Sequence, residues 1–199
     1  MTVDPDIEAQ SGVLAASRHG SGRRRINPIV EWVLVVVVAI SSALLVRAYV
    51  VQQFAVEGAS MINTLQNGDR VLVNRLSYRL HEPGRGDVVV LKRFVGAAEE
   101  RDLIKRVVGL PGETVEFRAC VVYINGNPLV EPYIDPVVEQ LDGCGGDQAP
   151  LVVPPETVFV LGDHRGKSSD SRVFGPVSDQ MLIGRAFVII WPMSDWGWL

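Results

Sequence analysis

The sequence predicts a mainly all-β domain that follows one membrane-spanning helix. Two features carry that prediction. From Ile29 to Val46 the chain is almost wholly apolar, with Glu31 as its only charge. Beyond Val51 it breaks into short, β-branched runs separated by turn dipeptides, the pattern of strands rather than of amphipathic helices.

Residues 1–28 mix Gly, Ser, Arg and acidic side chains without apolar periodicity, and read as a disordered cytoplasmic tail. Residues 29–50 read as the transmembrane helix. At about 1.5 Å per residue the Ile29–Val46 block extends roughly 27 Å, slightly short of a ~30 Å hydrocarbon core, which puts Glu31 and Arg47 near the two interfaces. Arg18, Arg23, Arg24 and Arg25 all precede the block. The positive-inside rule then keeps the N-terminus in the cytoplasm and sends the rest across the plasma membrane in a single pass. A cleaved signal peptide fits less well, because the block exceeds the usual ~7–15-residue apolar region and Arg47-Ala48-Tyr49 is a poor small-x-small cleavage site.

Residues 51–199 form the expected extracytoplasmic β-rich domain. Its strand runs are Arg70–Asn74, Asp87–Leu91, Leu103–Val108, Val121–Ile124, Thr157–Leu161 and Arg185–Trp191. Turn signals separate them at Asn67-Gly68-Asp69, Pro83-Gly84, Pro111-Gly112, Asn125-Gly126 and Pro154-Pro155. The stretch 136–155, rich in Gly, Asp and Pro, is expected to be an irregular insertion.

A length of 199 residues suits one domain with extra segments. A net charge of −4 leaves no footprint for phosphate backbones, so nucleic acid is not an expected partner. Cys120 and Cys144 are too few for a disulfide scaffold or a four-ligand zinc site. They form one bridge, which needs an oxidising compartment, or stay as two free thiols. No metal and no organic cofactor is implied.

Nucleophilic catalysis by serine needs a hydroxyl, a base within hydrogen-bond reach, and donors for the oxyanion. Among the histidines, His19 lies in the tail and His81 in a Glu-Pro-Gly turn; only His164, between Asp163 and Arg165, suits a Ser-His-Asp triad. The lysines are Lys92, Lys105 and Lys167. Lys167 sits in a polar Gly-Ser loop and Lys92 ends a strand beside Arg93, so both read as solvated. Lys105 differs, because strand alternation puts it on one face with Leu103 and Val107, and Arg106 on the other with Ile104 and Val108. Burial disfavours an ammonium and lowers a lysine pKa from ~10.4 toward the ~7–8 useful to a general base. The plain alternative is a lysine snorkelling from a strand. Ser60 stands in Gly58-Ala59-Ser60-Met61, where small residues admit a substrate backbone, and shortly after the membrane block. Phe54 and Val56 share a face just before it, giving an apolar wall.

With these residues assembled, the sequence resembles the bacterial signal peptidase I family from about residue 30 to 192. Ser60-Met61-Ile62-Asn63-Thr64-Leu65 resembles the nucleophile block, and Gly68-Asp69-Arg70-Val71-Leu72-Val73 the block after it. Lys105-Arg106-Val107-Val108-Gly109-Leu110-Pro111-Gly112-Glu113 resembles the base block, and Gly162-Asp163-His164-Arg165 through Ser168, Asp170, Ser171 and Arg172 the last. The resemblance implies a signal-peptidase-like β-fold in which Ser60 attacks the scissile carbonyl and Lys105 takes its proton. It implies that Ser168 holds the lysine amine, that Asp170 and Arg172 form a supporting ion pair, and that the Ser60 N–H is one oxyanion donor. Phe54, Val56, Asp102 and Ile104 would border shallow pockets for small residues one and three positions before the cut. The implied activity is removal of signal peptides from exported preproteins, with those peptides and the lipid bilayer as partners.

The chain departs from the family pattern in places. Asn63 replaces a common proline, and His164, Gly166 and Lys167 replace residues that are often Asn, Asp and Asn. Gly58 stands where some relatives carry a serine that completes the oxyanion hole, which leaves the second donor open. A narrower-target Ser/Lys peptidase and a tethered domain that binds without cutting are the rival readings. Trp191, Trp196 and Trp198 suit a membrane interface, and core packing accounts equally for Trp191.

Overall fold

The computed structural model describes residues 27–95 and 99–199. The tail expected over 1–28, apart from Asn27 and Pro28, lies outside the described residues. The chain divides into two units, Met1–Ile40 and Ser41–Leu199.

The described part of the first unit is helical. Helix α1 (Pro28–Tyr49) opens with proline at the position where a missing N–H costs nothing, and Asn27 accepts the Ile29 N–H at 3.1 Å. Its segment Pro28–Val46 has a mean hydropathy of 2.6 and is long and apolar enough to cross a membrane. Every side chain in that segment is exposed, so its apolar surface runs all the way round the helix.

The second unit is built on two antiparallel sheets. Its elements in chain order are β1 (Val51–Ala55), β2 (Arg70–Asn74), α2 (Ser77–Leu80), β3 (Val88–Val95), β4 (Glu99–Gly109), β5 (Thr114–Arg118), β6 (Val121–Ile124) and β7 (Asn127–Pro128). There follow α3 (Pro136–Asp142), β8 (Gln148–Val152), β9 (Thr157–Leu161), α4 (Ser171–Phe174), β10 (Val177–Ser178), β11 (Leu182–Trp191) and β12 (Gly197–Trp198). The larger sheet runs β1-β2-β11-β3-β4-β9-β10, with β12 added to β11; the smaller runs β7-β6-β5-β8.

Alternation in the strands explains the core. Val71 and Val73 of β2 and Val88 and Val90 of β3 pack in one cluster with Ala186 and Ile189 of β11. Met61 and Leu65, from the loop between β1 and β2, plug into the same cluster at 2% and 0% exposure. Each such burial contributes about 1.5–3 kcal/mol, so this loop is pinned on both sides of its neighbours. Val89 and Leu91 point the other way and pack with Val107, Val158 and Val160, with Leu103 against them. A third cluster joins Phe117 and Val122 of the smaller sheet to Val108, Phe159 and Leu161 of the larger.

Residues 136–155 are only partly irregular, because they contain α3 and β8. Asp135 caps α3 by accepting the Val137 N–H at 2.8 Å, with Pro136 opening the helix, and β8 pairs with β5 through Thr114↔Val152 and Val115↔Leu151. The Asp-Pro start of a helix is a capping signal that composition alone conceals. Cys144, in the same stretch, forms a disulfide with Cys120 across 24 residues, which settles the choice between bridge and free thiols. The Asn125-Gly126 turn joins β6 to β7 with φ of 51° and 80°, as a two-residue hairpin requires.

Candidate active site

Ser60 sits in a loop whose ends are tied together. The chain leaves β1 and turns at Gly58, whose φ of +91° is one that residues with a Cβ avoid. The Gly58 N–H donates to Asn67 Oδ1 at 2.9 Å, while Val56 N–H donates to Asp69 O at 2.8 Å and Gly68 N–H to Val56 O at 2.9 Å. Burial of Met61 next door then fixes where the Ser60 hydroxyl emerges.

Lys105 reaches that hydroxyl from β4, where it pairs with Val89 of β3. Its Nζ lies 2.8 Å from Ser60 Oγ and 2.8 Å from Ile104 O, and the residue is 2% exposed. Ser60 and Lys105 both line a cleft of ≈ 540 Å³, and so do Phe54, Val56, Asp102 and Ile104. All the residues expected around the substrate therefore meet in one place. The arrangement holds a hydroxyl and an amine in contact at the floor of an open groove, which is what proton abstraction from serine requires.

The last sequence block packs behind this pair. Asp170 is fully buried and accepts the Gly162 N–H at 3.1 Å, Arg172 Nε at 2.9 Å and Arg172 Nη2 at 2.8 Å. Arg172 also donates to the carbonyls of Arg165 and Cys144, which joins the disulfide segment to the same network. Ser168 Oγ is buried and has no hydrogen-bond partner among the described residues. It lies against Gly162, where an added methyl would collide with both Ser168 Oγ and the Ser60 carbonyl. Only glycine lets the chain leaving β9 pass so close to Ser60.

His164 occupies a different place from a triad base. Its backbone N–H donates to Ser60 O at 3.0 Å, its Nδ1 lies 3.1 Å from Ala59 O, and its Nε2 lies 3.0 Å from Asp142 Oδ2. Both ring nitrogens face groups other than the Ser60 hydroxyl, so the Ser-His-Asp arrangement is not formed. A hydrogen bond from Lys167, at 2.8 Å, is the main cause holding the Asp142 carboxyl below its ordinary value of 3.8.

The sequence as a whole is similar to known proteins. The profile of the family described as signal peptidase, peptidase S26, matches residues 29–191. The chain belongs to this family. Signal peptidase I T of Bacillus subtilis is 33% identical over 180 residues, covering 88% of this chain and 92% of that one. A probable signal peptidase I-1 of Synechocystis is 39% identical over 176 residues, covering 86% and 87%. A crystal structure of a signal peptidase I from Enterococcus faecalis is 34% identical, covers 53% of this chain and 97% of that one, and superposes with a TM-score of 0.45. As a member of the signal peptidase family the chain is a peptidase, a hydrolase of peptide bonds.

At this candidate site, sequence reasoning missed the ion pair that fastens the Ser60 loop. Arg106 donates to both oxygens of Asp163, at 2.9 and 2.7 Å, and also to Gly86 O at 2.9 Å and Thr64 Oγ1 at 3.1 Å. Thr64 donates to the same carboxylate, and the guanidinium stacks 4.0 Å over the Tyr133 ring. Burial, reinforced by Glu131, pushes the Tyr133 hydroxyl well above the usual phenol range. A signal was available: a charged residue inside an apolar strand, such as Arg106, calls for a buried partner, and Asp163 lies just past the end of β9, the next strand of the sheet. Asn63, where the family commonly has proline, instead donates its side-chain amide to Asp135.

Proposed function

We propose that the protein is a membrane-anchored serine endopeptidase that removes signal peptides from exported preproteins, cutting after small-x-small sites with Ser60 as nucleophile and Lys105 as general base. The observation that carries this reading is the 2.8 Å contact between Lys105 Nζ and Ser60 Oγ on the floor of the cleft. A tethered domain that only bound its target would have no use for that contact.

In this reaction Lys105, as the neutral amine, accepts the Ser60 proton while Oγ attacks the scissile carbonyl. Burial removes water from the ammonium and so favours the amine the step needs. The Ser60 N–H stabilises the oxyanion. The protonated lysine then gives its proton to the departing amine, and a water activated by the same amine hydrolyses the ester. The Asp170–Arg172 pair holds Gly162, against which Ser168 lies, and the unpartnered Ser168 hydroxyl would have to turn toward Lys105 to orient it. Phe54, Val56, Asp102 and Ile104 shape the pockets that admit only small side chains.

The helix α1 anchors the enzyme, with the arginine-rich N-terminus in the cytoplasm and residues 51–199 outside. Two observations support that orientation and position. The Cys120–Cys144 disulfide suits an oxidising exterior, and Trp191, Trp196 and Trp198 are 55%, 58% and 73% exposed, as side chains resting on a membrane interface are.

The test is cleavage of a preprotein bearing an Ala-x-Ala site by the full chain in detergent micelles. Ser60→Ala and Lys105→Ala are expected to abolish cutting, and a bulky residue before the cut to make the substrate inert. Normal cleavage by Lys105→Ala overturns the assignment of the base.

A further inference from the structure

We propose that His164 is a positioning residue that aims the oxyanion donor of Ser60. The proposal rests on the Ser/Lys reading above. The Ala59 carbonyl and the Ser60 N–H are the two edges of one peptide plane, and that peptide is trans, so the two groups point in opposite directions. Whatever holds the carbonyl therefore sets the direction of the N–H.

Two groups hold it: the Ile62 N–H of the same loop, at 3.3 Å, and the His164 ring, which is the shorter contact and comes from outside the loop. The His164 Nδ1 is 3.1 Å from Ala59 O, and because a carbonyl only accepts, Nδ1 must carry the proton. Its own N–H takes the next carbonyl, that of Ser60, at 3.0 Å, so two successive peptide planes of the nucleophile loop hang on one residue. The ring itself is fixed by burial, at 3% exposure. A donor to the carbonyl also polarises the amide and strengthens its N–H as a donor.

Two features make this link matter more in this chain. Gly58 has no side-chain hydroxyl, and its N–H is already given to Asn67. The Ser60 N–H, by contrast, donates to no other described residue and stays available for an incoming oxyanion. With so few donors, the aim of the remaining one governs transition-state charge rather than substrate binding.

The experiment measures kcat and KM on a preprotein for the full detergent-solubilised chain carrying His164→Ala, His164→Asn or His164→Gln, with thermal melting as the check on folding. His164→Ala is expected to lower kcat about 30-fold, with KM changed by less than about twofold. The Asn amide stands where Nδ1 does and donates to Ala59 O, so His164→Asn is expected to recover most of the rate. The Gln amide stands near Nε2 and is expected to stay slow. Wild-type kcat in His164→Ala, a loss confined to KM, or recovery by Gln and not by Asn overturns the proposal. If the alanine variant fails to fold, the Asn and Gln pair decides alone. Ser60→Ala and Lys105→Ala run alongside: cutting by either overturns the Ser/Lys reading, whereas their inactivity with unaffected His164 variants overturns only this inference.

Discussion

Two neighbouring residues of β4, Lys105 and Arg106, are both buried cations, and the protein treats them in opposite ways. Arg106 is met by both oxygens of the Asp163 carboxylate, a hydroxyl, a carbonyl and an aromatic face. The partners of Lys105 include the Ser60 hydroxyl and the Ile104 carbonyl, and the residue lines the cleft. The guanidinium, which does not deprotonate in proteins, is given charge and geometry that keep it in place. The amine, whose proton is exchangeable, is placed where losing that proton is useful. Both grip the same loop, Arg106 through Thr64 and Lys105 through Ser60, so one fastens what the other activates in the proposed reaction.

The sharpest way to break this comparison is to replace each cation with methionine. Lys105→Met is expected to lower kcat at least about 10⁴-fold while leaving the melting temperature unchanged or raised, because an apolar chain replaces a desolvated amine. Arg106→Met is expected to do the reverse in kind, destabilising the fold by about 3–5 kcal/mol through the buried, unpaired Asp163 carboxylate. Denaturant unfolding of the solubilised chain checks both, and equal stability losses would erase the distinction.

A smaller effect is expected where the network reaches the disulfide. The bridge closes a loop of 24 residues, and replacing Cys120 and Cys144 by serine is expected to cost about 3 kcal/mol. Because Arg172 holds the Cys144 carbonyl, cleavage is expected to fall at temperatures where the double variant still melts as one unit. Unchanged activity up to its melting point would separate the bridge from the site.

The least effect belongs to a third cation, the exposed Lys167, whose pair with Asp142 is screened by solvent. The Asp142 carboxyl is held below 3.8 in the folded chain, chiefly by the Lys167 hydrogen bond. Its contribution is therefore fully present above its unfolded value and lost as pH falls through the lower folded value. Asp142→Asn is expected to lower the melting temperature slightly at neutral pH, with the difference from wild type vanishing on acidification. A difference that grows toward acid contradicts this sign.

Much of the fold was legible before any coordinates. The runs Arg70–Asn74, Val121–Ile124 and Thr157–Leu161 are strands over those same residues, because alternation and β-branching are local properties. β1 and β8 were missed for the opposite reason. Val51-Gln52-Gln53-Phe54-Ala55 and Gln148–Val152 lack a clear alternation and exist because β2 and β5 pair with them. The helix α3 was hidden by glycines that follow it rather than interrupt it.

The sequence by itself determined the apolar helix, most central strands, the Asn-Gly hairpin and, through four ordered blocks, the residue types of a Ser/Lys site. Each of these is written in one contiguous stretch, of 22 residues for the helix and far fewer for each strand, turn or block, the range over which periodicity and turn chemistry act. Tertiary structure alone decided which groups meet: Ser60 with Lys105 across 45 residues, Arg106 with Asp163 across 57, and His164 with Ala59 across 105. It also turned His164 from a candidate base into a clamp on the nucleophile's own backbone. Such contacts depend on strand register and loop burial summed over the whole sheet, and no local stretch of chain encodes them.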